Sequence, residues 1–120
     1  MAKEHRKRAS RGGRAAAKDV RIVLSTAPVR AAAALATHLV ESGLAACVTV
    51  VKGGESVYRW RGKVERARES LLLVKTTRRD LEALLAALAK RHPYEVPEGL
   101  VLEPTDGLRA YLKWIALSGR

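Results

Sequence analysis

The chain has 120 residues and a formal net charge of +11, with 23 lysines and arginines against 12 acidic residues. This length fits one domain, and the single cysteine, Cys47, excludes an intrachain disulfide and favours a reducing, cytoplasmic compartment. No apolar run approaches the roughly 20 residues that a membrane helix needs, and no secretory apolar region follows Met1. We therefore expect one domain with no membrane span.

Residues 1–19 form a basic segment with seven lysines or arginines, two acidic residues and no Leu, Ile, Val or aromatic residue. Such a segment cannot bury enough apolar surface to offset its ordering entropy, so we predict a disordered tail followed by a domain over residues 20–120. The tail has two interpretations. It is either a solvated extension with no specific role or a nonspecific anchor for nucleic acid or anionic lipid.

The first half of the domain begins with a predicted strand, Val20–Ser25, whose apolar residues alternate. Thr26 is the candidate cap of the following helix, and Pro28 suits its first turn. The alanine-rich stretch 30–42 predicts that helix, and Gly43 suits its left-handed end.

A long hairpin is predicted next. Residues 44–51 read as the second strand, Gly53-Gly54 allows a bulge or bend, and residues 56–61 continue extended. Gly62-Lys63 then makes a tight turn into residues 64–77. The far end of this hairpin is charged and its base is apolar.

Residues 80–90 predict a second amphipathic helix, with leucines at helical spacing, and Pro93 ends it. A strand over residues 100–103 and a C-terminal helix over residues 107–116 complete the domain. The order of elements predicts an α+β fold of the ferredoxin-like, split βαβ type with one additional helix.

The predicted strands are apolar on both faces, as residues 44–51, 71–74 and 100–102 illustrate. The two main helices of this topology cover one sheet face only. Leaving the other face in water would cost roughly 25 cal/mol per Å² of apolar surface. We therefore predict an oligomer in which sheets of several copies meet, with Tyr58 and Trp60 on the interface side of the hairpin.

The loop between the second helix and the last strand is the candidate functional site. Pro93 and Pro97 stiffen it and hold four polar side chains, which lowers the entropy lost on binding: His92, Tyr94, Glu95 and Glu98. The chain contains no phosphate-binding glycine loop and no G-x-S-x-G nucleophile motif. We therefore expect a protein that is not an enzyme.

The segment H-P-Y-E-V-P-E, residues 92–98, resembles the signature of the CutA divalent-cation-tolerance proteins. Five further motifs follow the order found in that family: L-S-T-A-P from Leu24, G-L-A-A-C-V from Gly43, Y-R-W-R-G-K from Tyr58, V-K-T-T from Val74 and Y-L-x-W from Tyr111. The resemblance covers the chain from about Val20 to its end. It implies the ferredoxin-like fold, a PII-like homotrimer and a role in tolerance to copper and other divalent cations.

The resemblance also implies a copper ligand set of a cysteine in the first strand, a histidine ending the second helix and a glutamate after the second proline. Here Ser25 and Arg91 occupy the first two positions, and only Glu98 matches. This replacement removes the groups that favour copper. The candidate metal residues are Glu98 and His92, which would bind Cu(II) or another divalent cation together or with Glu95. The alternative is that His92 makes hydrogen bonds within an ordered loop.

A second functional hypothesis follows from the likeness of this fold to PII-type signalling trimers. In it, Glu98, Tyr94, Lys75 and an arginine such as Arg59 or Arg61 line a cleft between subunits. Basic groups in such a cleft would suit a small anionic ligand, and the protein would be a sensor.

Overall fold

The structure is a computed structural model that describes residues 12–118. The element order is α1 (Arg14–Ala17), β1 (Val20–Pro28), α2 (Val29–Glu41), β2 (Cys47–Trp60), β3 (Lys63–Thr77), α3 (Leu81–Arg91), β4 (Leu100–Leu102) and α4 (Arg109–Ser118). The strands form one four-stranded antiparallel sheet in the order β2-β3-β1-β4. This strand order confirms the predicted ferredoxin-like arrangement.

β1 is longer than the sequence predicted. It continues to Pro28 because it stays paired with β3 through Thr26–Leu71 and Pro28–Glu69. The prediction of Thr26 as a helix cap is therefore wrong. Pro28 takes the N-cap position of α2 and provides no side-chain capping hydrogen bond.

The main core lies between one face of the sheet and the helices α2 and α3. The alternating side chains of β1 and β3 that point to this face are almost fully buried. The cluster consists of Val23, Ala27, Ala32, Leu35, Leu39, Ala45, Leu72, Val74, Leu84 and Leu88. Its burial agrees with the helical and strand periodicities of the sequence.

A second, smaller core lies on the opposite face, where α1 and α4 pack against the start of β1. It consists of Ala17, Val20, Leu112 and Ile115. The backbone N–H of Gly13 donates to Asp106 Oδ1 over 3.2 Å, which holds the N-terminal segment beside α4.

The predicted disorder of residues 1–19 is therefore wrong for residues 12–19. Ala17 is only 1% exposed there and Ala16 packs beside it, so a segment without large apolar residues is ordered by packing two alanines and by a hydrogen bond to the Asp106 side chain. Residues 1–11 lie outside the described part of the chain, and the predicted tail is untested there.

The rest of the second sheet face has no covering helix within residues 12–118. By register, Leu24 and Leu73 lie on this face beside Leu100, and all three belong to an apolar surface that one chain leaves accessible. Leu100 is 58% exposed and Leu102 is 45% exposed. We call this surface the open sheet face.

β2 and β3 extend beyond the end of β1 as a two-stranded hairpin arm, residues 55–68. Arg61 and Gly62 form its turn with φ angles of 51° and 81°, the left-handed pair that a two-residue hairpin turn requires. Tyr58 and Trp60 remain 44% and 42% exposed on this arm. The predicted long hairpin is therefore confirmed.

Candidate functional site

His92 fixes the beginning of the proline loop, residues 92–98, to the first strand. The residue is 7% exposed, and Nε2 lies 2.7 Å from the carbonyl oxygen of Thr26. The backbone N–H of Tyr94 donates to Nδ1 over 3.1 Å. Because Nδ1 accepts, the ring proton belongs on Nε2, which donates to the Thr26 carbonyl. The imidazole is thus a neutral link between two backbone segments.

This geometry fits the alternative in which His92 makes hydrogen bonds within an ordered loop. Both ring nitrogens are engaged, so His92 has no free lone pair for the metal ion predicted there. Within residues 12–118, no group of three or more His, Cys, Asp or Glu side chains is arranged to hold a metal ion. Of the two predicted metal residues, Glu98 alone keeps its side chain available.

Glu98 lies against the end of β1. The hydroxyl of the fully buried Ser25 donates to the Glu98 carbonyl oxygen over 2.8 Å. Thr26 Oγ1 donates to the Glu98 carboxylate over 3.4 Å, a weak contact. Two of the positions implied by the family resemblance, Ser25 and Glu98, therefore meet, whereas Arg91 is an exposed residue at the end of α3.

Tyr94 joins the proline loop to β3. Its hydroxyl donates to Glu69 Oε2 over 2.5 Å, and Glu69 is 6% exposed. Burial, and then the hydrogen bond to Glu69, raises the pKa of Tyr94 from 10.0 to about 12. The Tyr94 ring also packs on His92, with 4.7 Å between ring centroids. The phenol is therefore held as a protonated donor to a buried carboxylate.

A cleft of about 520 Å³ opens between the proline loop and the base of the hairpin arm. We call it the acidic cleft. Its lining residues are Thr26, Ser56, Tyr58, Trp60, Glu69, Pro93, Tyr94, Glu95, Val96 and Glu98. The volume lies within the range of small-molecule sites. The loop side of this cleft was predicted from the sequence, whereas Glu69 and Ser56, which lie on the two strands of the hairpin, were not.

Gly54 allows the hairpin to approach Glu69 closely. The register of β2 and β3 shifts between Val51 and Gly54, and a Cβ atom at Gly54 would lie 2.8 Å from the Glu69 carbonyl oxygen. The bulge expected at Gly53-Gly54 thus occurs, and it shapes the wall of the cleft. No local sequence signal marks Glu69, because Gly54 faces it only through the pairing of β2 with β3.

The basic residues of the sensor hypothesis do not line the acidic cleft. Lys75 Nζ donates to Thr49 Oγ1 over 2.7 Å, and the Arg61 guanidinium lies 5.6 Å from the Trp60 ring centroid. Of the residues of that hypothesis, Tyr94 and Glu98 reach the cleft. Among the described residues that line it, none is a lysine or arginine. The lining that one chain supplies is therefore suited to a cation and not to the predicted anion.

Residues 21–118 match the sequence model of the family described as CutA1 divalent ion tolerance protein. The divalent-cation tolerance protein CutA of Pectobacterium atrosepticum is 44% identical over 103 residues, which cover 85% of this chain and 94% of that protein.

Solved structures agree with this match. CutA from Xylella fastidiosa superposes with a TM-score of 0.82 at 39% identity, over 85% of this chain and 99% of that one. The protein from Archaeoglobus fulgidus that is described as a periplasmic divalent cation tolerance protein CutA superposes with a TM-score of 0.80 at 29% identity, over 84% and 99% of the two chains.

Proposed function

Because the chain belongs to the family of CutA1 divalent ion tolerance proteins, we propose that it acts in divalent-cation tolerance as a homotrimer without catalytic activity. The tolerance role follows from the family. The trimer is our proposal, and the observation that carries it is the apolar surface that a single chain leaves open.

The open sheet face supports assembly of several copies. Leu100 and Leu102 are large apolar side chains on an antiparallel sheet, and they are 58% and 45% exposed. Exposing such a patch in a soluble chain is costly, at roughly 25 cal/mol per Å². A second and third copy of the same sheet would cover it, and the number three rests on the resemblance to the CutA family.

The hairpin arm supports the same assembly. It extends beyond the single-chain core and gives the molecule principal dimensions of 53 × 27 × 23 Å. Tyr58 and Trp60 are exposed on the side of the arm that borders the acidic cleft. Aromatic side chains of this kind are enriched at the centre of protein interfaces. A neighbouring copy that packs along the arm would complete the cleft.

For divalent metal binding we retain Glu98 as the proposed contact residue. His92 would join it only after the Tyr94 N–H to Nδ1 hydrogen bond breaks. Cu(II) binding would then be weak and dominated by carboxylate oxygens, which are poor copper ligands compared with thiolate and imidazole.

Calorimetric titration of Cu(II) into the full chain tests this metal proposal. Wild type is compared with Glu98→Gln, with His92→Gln, and with Glu55→Gln as a control for an exposed carboxylate outside the cleft. We expect Glu98→Gln to weaken binding and the control to leave it unchanged. Equal affinity in wild type and Glu98→Gln would exclude Glu98 as a metal residue.

The absence of catalysis and the cytoplasmic location are likewise proposals. His92, the titratable group of the loop best suited to act as a base, is engaged at both nitrogens. The lone Cys47 is a free thiol, which suits a reducing compartment. Within residues 12–118 no helix is long and apolar enough to cross a membrane.

A further inference from the structure

The acidic cleft combines three carboxylates with three aromatic rings, and we propose that it binds a small organic ammonium cation. The carboxylates belong to Glu69, Glu95 and Glu98, and the rings belong to Tyr58, Trp60 and Tyr94. This goes beyond divalent-cation tolerance, because the ligand is an organic amine and not a metal ion.

The charge of the cleft is opposite to that of the chain. The chain carries a formal net charge of +11, yet no described lining residue is a lysine or arginine. None of the ion pairs among residues 12–118 involves Glu69, Glu95 or Glu98. Arg30 acts on Tyr94 through its charge but does not line the cleft. In the part of the cleft that one chain supplies, the three carboxylates therefore create a local negative potential that attracts a cation.

The aromatic rings select an organic cation. The negative face of a tyrosine or tryptophan ring attracts ammonium groups, and this attraction strengthens when the cation is desolvated. The Arg61 guanidinium lies 5.6 Å from the Trp60 ring centroid, so a ligand cation would use the other face of this ring. Combined carboxylates and rings suit an alkylated ammonium group, which presents both charge and apolar surface.

A metal ion at Glu98 would fill only a small part of the cleft and leave room for a larger ligand. The cleft has a volume of about 520 Å³, and Glu69 already accepts the Tyr94 hydroxyl. No described group of three His, Cys, Asp or Glu side chains is arranged around one metal position. A ligand with several carbon atoms fills such a space better than a single ion.

The cleft wall is held in place before any ligand arrives. Hydrogen bonds fix the loop at His92 and at Tyr94, and the Gly54 bulge lets the other wall approach Glu69. Groups that are already ordered lose little entropy on binding, so affinity depends on the charge and the rings.

Titration of choline chloride into the full-length protein tests the proposal. The matched probe is 3,3-dimethylbutan-1-ol, which has the shape of choline with a carbon atom in place of the charged nitrogen, and citrate is the anionic probe. We expect choline to bind at least about tenfold more tightly than the neutral probe, and citrate not to bind. Equal affinity for choline and its neutral counterpart, preferential citrate binding, or no choline binding at millimolar concentration would each overturn the proposal.

Variants locate the binding. Glu98→Gln keeps the side-chain shape and removes the charge. Trp60→Leu removes the aromatic ring, whereas Trp60→Phe keeps an aromatic ring at this position. We expect about tenfold weaker choline binding in the first two variants and smaller effects in Trp60→Phe and in Glu55→Gln, whose residue lies outside the cleft. Light scattering establishes that each variant keeps the wild-type mass. Unchanged choline affinity in Glu98→Gln and Trp60→Leu at wild-type mass would refute this cleft as the site, whatever the result of the Cu(II) titration.

Discussion

The Tyr94 hydroxyl donates a 2.5 Å hydrogen bond to the carboxylate of Glu69, which lies 25 residues earlier in the chain. This bond connects the proline loop to the point where β3 enters the sheet proper, and it places a tyrosine and a nearly buried glutamate in one wall of the acidic cleft. The geometry of the candidate site therefore depends on a contact between two distant segments.

The first prediction concerns stability at high pH. The pKa of Tyr94 is 10.0 in an ordinary environment and about 12 in the folded chain. Since folding favours the protonated phenol, Tyr94 contributes stability that is fully present below pH 10 and is lost as the pH rises toward 12. Urea denaturation of wild type and Tyr94→Phe should show a wild-type advantage of about 1–3 kcal/mol at neutral pH, shrinking above pH 10. An advantage that stays constant with pH would contradict the assignment.

The second prediction concerns the close approach at Gly54. A Cβ at this position would lie 2.8 Å from the backbone oxygen of Glu69, which cannot move without disturbing the sheet. We expect Gly54→Ala to lower the free energy of unfolding by about 1–3 kcal/mol. Gly99→Ala is the matched control, because its Cβ would lie 3.6 Å from Leu85 in ordinary contact. Thermal denaturation that ranks the two variants equally would rule out this role for Gly54.

The third prediction separates the two parts of the N-terminal segment. Removing residues 1–11 leaves α1 and its described contacts with Asp106 and α4 in place, so this shorter chain is the reference for the contribution of residues 12–19. Removing residues 1–19 deletes the buried Ala17 and the donor to Asp106, and we expect a loss of about 2 kcal/mol or more. Asp106→Ala should reproduce part of that loss. Equal stability of the two truncated chains would show that α1 contributes nothing.

The fourth prediction concerns the role of the basic tail. Residues 1–11 carry Lys3, Arg6, Lys7, Arg8 and Arg11 against Glu4. If they contact nucleic acid through phosphate groups, the chain without residues 1–11 elutes from heparin at clearly lower salt than the full chain. Because residues 12–19 are ordered, the deletion should end at residue 11. Removing residues 1–11 alone leaves the packing of α1 intact. Elution at the same salt would assign the tail no such role.

The periodic elements could be predicted from the sequence because their signals are local. The leucines of α3, the alternation of β3 and the turn at Gly62 each depend on neighbours within a few residues. The stiffness of the proline loop was visible for the same reason. These local features are sufficient to predict the ferredoxin-like fold and one side of the candidate site.

The remaining features depend on contacts between distant segments. The helix α1 has no apolar period, and it is ordered through Asp106 and the core around Leu112. The end of β1 is set by pairing with β3, which overrides the capping preference of Thr26. The acidic lining of the cleft depends on Glu69, whose approach to Tyr94 no local pattern reveals.

The central claim is that the open sheet face is covered by further copies of the chain. Light scattering coupled to size exclusion, performed on the full chain at micromolar concentration, tests it most directly. We expect a mass of about three times the 13.1 kDa of one chain, and a lower mass for Leu100→Glu, which places a charge on the exposed apolar surface. A compact, soluble wild-type species near 13.1 kDa would contradict the claim.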